Sequence, residues 1–133
     1  MIASRNYATK YVASIWGRKL HKLPGTPVRG SQTGRPIMVL LDVLGQRWTL
    51  RLLWELSHDT ATFRALRSRC DDVSPTVLNQ RLKELRGLGL VDLGENGYEL
   101  TSMGMALAWK FASLDAWANE WAENLEKHDI SKD

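Results

Sequence analysis

Apolar positions along this chain change period several times, and each change marks an element. Ile37, Leu40, Leu41 and Leu44 recur at helical spacing; Pro36 suits a first helical position, and Gly45 closes the run. Thr49 to Leu56 predicts a second helix, with Leu50, Leu53, Trp54 and Leu56 apolar and Arg47, Arg51 and Glu55 polar. Thr60 to Phe63 reads as a brief extended stretch, and Arg64 to Cys70 as a third short helix holding Leu66 inward. Ser74-Pro75 places an N-cap before a proline at the first helical position, so a fourth helix starts there. It runs to about Arg86 and ends at Gly87 and Gly89.

Leu90-Val91-Asp92-Leu93 and Tyr98-Glu99-Leu100 flank Gly94-Glu95-Asn96-Gly97, and Asn-Gly between alternating apolar residues predicts a hairpin. From Ser102 to about Lys127 runs one long helix. Its apolar set Leu107, Phe111, Leu114, Ala118, Trp121 and Leu125 steps by 4, 3, 4, 3, 4, a heptad seam. The element order predicts a mainly α protein, a winged helix-turn-helix with a small β-hairpin wing and a long C-terminal helix.

Upstream of Pro36 the pattern weakens. Tyr7, Tyr11 and Ile15 at i, i+4 spacing, with Arg18, Lys19 and Lys22 toward the end, predict a basic helix over residues 1–23. Residues 24–36 are rich in Gly, Pro, Ser and Thr and read as a linker. The chain thus divides into a basic N-terminal helix or arm with its linker, residues 1–34, and a domain over residues 35–133. A length of 133 residues with 44% hydrophobic content suits one folded domain. One Cys excludes an internal disulfide framework, and no apolar run approaches the ~20 residues of a membrane span. A soluble, cytoplasmic protein is expected, with no membrane partner.

Charge is unevenly placed. Residues 1–36 carry seven basic side chains and no acid; residues 37–70 carry a net +2; residues 71–133 carry six basic and twelve acidic groups. A polyanion would meet one attractive and one repulsive end if folding keeps this order.

The helix from Pro75 has what a DNA reader needs. Leu78, Leu82 and Leu85 make an anchored face, while Thr76, Gln80 and Lys83 point roughly the other way and Asn79 lies on the flank. Gln and Asn can pair in bidentate fashion with adenine, Thr can touch a thymine methyl or a phosphate, and Lys suits phosphate or guanine. These residue types are also ordinary on a solvent-facing helix, so context decides.

That context is a family resemblance. The stretch Leu41-Asp-Val-Leu-Gly-Gln-Arg-Trp-Thr-Leu, the segment Thr62-Phe-Arg-Ala-Leu-Arg, and Ser74-Pro-Thr-Val-Leu-Asn-Gln-Arg-Leu-Lys-Glu-Leu resemble the HxlR-type winged-helix transcriptional regulators. Gly89-Leu90-Val91 and Tyr98-Glu-Leu-Thr-Ser-Met-Gly104 match the family's wing and the start of its last helix. The resemblance covers about residues 35–122. It implies a bacterial regulator that binds double-stranded DNA as a homodimer, with the helix from Pro75 as recognition helix and the terminal helices in the dimer interface. Ser74, Thr76, Asn79, Gln80, Arg81 and Lys83 then inherit DNA contact, Arg64 and Arg67 inherit backbone contact, and Leu107, Phe111, Leu114, Ala118, Trp121 and Leu125 fall in the dimer seam. Arg35, in Thr33-Gly34-Arg35-Pro36, resembles part of a minor-groove hook and joins the candidate DNA contacts. Arg81 has two readings: beside the leucine face, it either reaches DNA or pairs with Asp71, Asp72 or Glu84.

Two departures stand out. Where many members carry a redox-sensing Cys, directly before the proline that opens the first domain helix, this chain has Arg35; Cys70 lies elsewhere and suits packing. The wing carries Asp92, Glu95 and Glu99 where relatives usually show basic residues, which would repel phosphates. The basic segment before Pro36 could compensate as an arm along a groove. A winged helix used for protein–protein contact, with weak or no specific DNA binding, is therefore the alternative expectation.

Trp48, Trp54, Trp109, Trp117 and Trp121 sit at helical positions that suit core packing or a dimer seam. A cavity between the last helix and the DNA-binding core would also give a small-molecule effector a site. No enzyme, cofactor or metal is expected: His21, His58 and His128 are scattered, and no nucleophile or phosphate-loop motif appears.

Overall fold

The computed structural model describes residues 23–130, so the basic helix expected over residues 1–23 lies outside the described residues but for Leu23. Residues 24–36 are not an extended linker. The Gly25 N–H donates to the Gly34 carbonyl at 2.8 Å, and Val28 and Ser31 exchange both backbone hydrogen bonds at 2.9 and 3.0 Å, which closes a tight loop. Gly34 turns with φ +66° and is buried against the backbone of Gly25 and Thr26, where a side chain would collide. The Gly- and Pro-rich composition that suggests a linker is also the composition that tight turns require.

The elements follow in the order α1 (Pro36–Leu44), α2 (Thr49–His58), α3 (Phe63–Arg69), α4 (Pro75–Gly87), β1 (Val91–Gly94), β2 (Gly97–Leu100) and α5 (Ser102–Ile130). Pro36 opens α1 at its first position, as its fixed φ and missing N–H favour. Thr62 caps α3, its hydroxyl accepting from the Ala65 N–H at 3.1 Å, so this helix starts one residue before the expected Arg64. Thr60–Phe63 contributes only a single bridging residue: Ala61 exchanges backbone hydrogen bonds with Tyr98 at 3.0 and 2.8 Å, on the edge of β2.

The two strands pair antiparallel, Val91 opposite Leu100 and Gly94 opposite Gly97, so Glu95 and Asn96 alone make the turn. The expected four-residue connection is shorter by two, and Asn-Gly is displaced by one position. Gly97, with φ +122°, begins β2 because a side chain there would strike the Ala61 backbone.

The core gathers Leu52, Leu53 and Leu56 of α2, Leu66 of α3, Leu78, Leu82 and Leu85 of α4, with Cys70, Val73 and Val91. Each buried leucine contributes roughly 2 kcal/mol by leaving water, and together they fix α4 by one face. The long α5 joins this core only at its start. Gly104 and Ala108 are buried there, and Leu107 and Phe111 pack half-buried against the cluster. Beyond Phe111 the helix stands exposed to Asp129 but for half-buried Ala118.

Candidate nucleic-acid interface

Helices α3 and α4 are joined by a turn whose geometry sets the angle between them. Asp71 and Asp72 both lie in the left-handed region, at φ 53° and 55°, which short polar side chains tolerate better than most. The Asp72 N–H donates to the Arg67 carbonyl at 2.9 Å, and the Val73 N–H to the Cys70 carbonyl at 3.0 Å. Arg67 folds back over the turn, its Nε–H donating to the Val73 carbonyl at 2.9 Å. One residue later Ser74 caps α4, its Oγ accepting from the Val77 N–H at 3.4 Å, with Pro75 in the first turn.

The leucines of α4 dictate what it shows to solvent. With Leu78, Leu82 and Leu85 inward, Thr76, Asn79, Gln80, Lys83 and Arg86 are exposed along the outer face. These positions repeat at i, i+3, i+4, i+7 and i+10, the spacing of one helical stripe. No acidic residue lies in the first turn, where the helix dipole favours anions. The one acid on α4 is Glu84, and it is engaged: Arg81 Nη1 donates to its Oε1 at 2.7 Å. Arg81 also donates from Nε to the Arg47 carbonyl at 3.0 Å. Of its two expected readings, pairing with Glu84 is the one the structure contains.

The nine expected DNA residues therefore fall into distinct settings. Ser74, Thr76, Asn79, Gln80 and Lys83 share the outer stripe and capped end of α4. Arg64 is exposed on α3. Arg67 and Arg81 are half-buried, and each donates to a backbone carbonyl, Arg67 to that of Val73 and Arg81 to that of Arg47. Arg35 is exposed at the start of α1, its N–H bound to Ser31 Oγ at 3.1 Å. A further arginine, Arg51, bridges Glu55 at 2.9 Å and the Arg69 carbonyl at 2.8 Å. Its i, i+4 acid was the readable signal; the carbonyl was not.

Asp92, Glu95 and Glu99 are exposed on the wing, so the hairpin presents negative charge as expected. Asp71 and Asp72 are exposed beside the α4 N-terminus. Cys70 is fully buried, and burial pushes its thiol up from the ordinary range, opposed in part by Arg51. Such a thiol is protonated and inert near neutral pH.

The expected seam on α5 splits. Leu107 and Phe111 belong to the molecule's own core, whereas Leu114, Trp121 and Leu125 are 53%, 52% and 52% exposed. Trp117, 57% exposed, stacks on Trp121 with ring centroids 6.0 Å apart. No helix among the described residues is long and apolar enough to cross a membrane.

Comparison with known proteins places these features in a family. Residues 43–126 match the model for HxlR-like helix-turn-helix proteins. The uncharacterized HTH-type transcriptional regulator YvaP of Bacillus subtilis (strain 168) is 31% identical over 90 residues, spanning 62% of this chain and 83% of that one. The quinone-bound YodB of B. subtilis is similar in structure, with a TM-score of 0.60, 28% identity, and coverage of 64% of this chain and 97% of its own. A possible HxlR family transcriptional factor from Thermoplasma volcanium GSS1 gives a TM-score of 0.57 at 26% identity, over 63% and 82% of the two chains.

Proposed function

The chain belongs to the HxlR-like helix-turn-helix family of transcriptional regulators, and from that membership we propose that it acts in the cytoplasm as a homodimer on double-stranded DNA. Each protomer lays α4 in the major groove of a near-palindromic operator, with half-sites about 10 bp apart or a multiple of that. The observation that carries this reading is the exposed stripe Thr76, Asn79, Gln80 and Lys83, set opposite three fully buried leucines. Thr76, Asn79 and Gln80 meet base edges, while Ser74, Lys83 and Arg64 meet phosphates. Arg35 adds a cation at the edge of the footprint. The stretch Leu114, Ala118, Trp121 and Leu125 of α5, exposed but for half-buried Ala118, packs against its copy in the partner.

A small-molecule effector is part of the same proposal, given that the structural neighbour YodB is quinone-bound. The buried thiol of Cys70 argues that an effector here is held without a bond to sulfur.

Selection of duplexes from a random-sequence pool tests the central reading. The expected product is one motif with two-fold symmetry, and Gln80→Ala relaxes base preference at one position per half-site by about 1–3 kcal/mol. The exposed acids Asp92, Glu95 and Glu99 favour a second reading, a protein-contact module. A pool that enriches no motif at low salt favours it over the first.

A further inference from the structure

With α4 seated in the major groove as proposed above, the arginines around it divide into two kinds. Arg81 lies on the flank between the buried leucines and the exposed stripe, with a side chain 13% exposed. Its guanidinium offers five N–H donors in a rigid fork, and two are already placed, on Glu84 Oε1 at 2.7 Å and on the Arg47 carbonyl at 3.0 Å. Swinging it out to a phosphate would break both bonds and leave Glu84, whose side chain is 12% exposed, as an unpaired acid beside the groove. The bond to the Arg47 carbonyl ties the middle of α4 to the segment just before α2, and the bond to Glu84 holds the guanidinium in place along α4.

Arg47 stands in the opposite situation. Its carbonyl is held by Arg81, while the residue itself is exposed and has no salt-bridge partner among the described residues. It precedes α2, whose first turn carries no acid. A helix lying in the major groove has phosphates along both flanks, and Arg47 is tethered to one of them. We propose that Arg81 is a positioning residue setting the pose of the recognition helix, and that Arg47, whose backbone it holds, is the phosphate contact on that flank.

The test is affinity against salt concentration for the full chain, on the selected operator and on a random-sequence duplex, with each variant verified as folded by circular dichroism. Arg81→Lys keeps the charge and loses the fork; operator affinity falls about tenfold while affinity for the random duplex and the salt slope stay as in the wild type. Glu84→Gln shifts operator affinity in the same direction. Arg47→Ala lowers the slope by about 0.9 per protomer on both duplexes, and Arg47→Lys restores it. Wild-type operator affinity in Arg81→Lys overturns the positioning role, and an unchanged slope in Arg47→Ala overturns the contact. Should Arg81→Lys not fold, Glu84→Gln decides: a loss of operator affinity supports the proposal, and no loss, or a gain from the freed guanidinium, overturns it. A wild-type chain that binds neither duplex would instead refute the DNA-binding reading on which this rests.

Discussion

At Gly97 the backbone takes φ +122°, and a Cβ built there would lie 2.5 Å from the Ala61 carbonyl oxygen and 2.8 Å from the Thr62 nitrogen. Both the backbone angle and the contact exclude a side chain, so Gly97→Ala is expected to cost about 2–4 kcal/mol, read as a fall in Tm of roughly 10 °C or more. Asn96, the other half of the turn signal, is not among the residues with positive φ. Asn96→Ala should therefore change stability by no more than about 0.5 kcal/mol, and equal losses in the two variants would reject this account of the turn. The two residues show what was readable at this scale. Asn-Gly announced a reversal, but its register depended on Ala61, thirty-odd positions upstream, pressing on β2. The arginines differ in the same way. A helical wheel put Arg81 beside the leucines and so hinted at its pairing with Glu84. Arg67 gave no hint, because its partner is the Val73 carbonyl, and every residue carries a carbonyl.

Among the elements, α5 is the one whose apolar stripe divides between the core and solvent. Its heptad pattern is continuous from Leu107 to Leu125, yet Leu107 and Phe111 pack on the protomer's own core while Leu114, Trp121 and Leu125 face outward. Periodicity reports that a stripe is apolar, not what covers it, and for that reason the boundary between its core-packed and exposed parts was invisible in the sequence. Leu114→Asp combined with Trp121→Asp is expected to give a folded monomer by light scattering, with Tm taken at equal protomer concentration. Phe111→Asp should instead lower the stability of the protomer itself, by roughly 3 kcal/mol or more, since it sets a charge against the core. A dimer that survives the double substitution would move the interface off α5. The other helices were legible for a simple reason: proline, serine and glycine punctuation coincided with changes of apolar period, as at Ser74-Pro75. The loop over residues 24–36 was not, because its order comes from backbone hydrogen bonds and from the buried Gly34, neither of which composition encodes.

For the whole molecule, the charge order along the chain carries over into which elements are exposed. Arg35, Arg47, Arg64, Lys83 and Arg86 are exposed at the starts of α1 and α2 and on α3 and α4. Asp92, Glu95 and Glu99 on the wing, and Asp115, Glu120, Glu123 and Glu126 on the outer part of α5, are exposed too. On the proposed reading these exposed cations are the ones available to a DNA duplex at α4, and the acidic wing, with Asp71 and Asp72 beside the start of α4, works against them. The basic wing that the family resemblance implies is replaced here by acids, so any phosphate contact it would make must come from elsewhere or be absent. The five cations of residues 1–22 (Arg5, Lys10, Arg18, Lys19 and Lys22) are the largest available reserve, since Arg29 and Arg35 belong to the ordered loop. Deleting residues 1–22, and leaving that loop intact, separates the two cases. If the segment lies on DNA, the salt slope becomes shallower by about 0.9 for every phosphate released, and the loss is the same on operator and random duplex because phosphates carry no sequence. An unchanged slope with a fall in dimer mass would assign the segment to the protomer interface, leaving the exposed cations Arg35, Arg47, Arg64, Lys83 and Arg86 to supply the attraction. Total slope then discriminates once more: five exposed cations in each of two protomers limit it to about 9, and a steeper wild-type slope would call for the arm in contact.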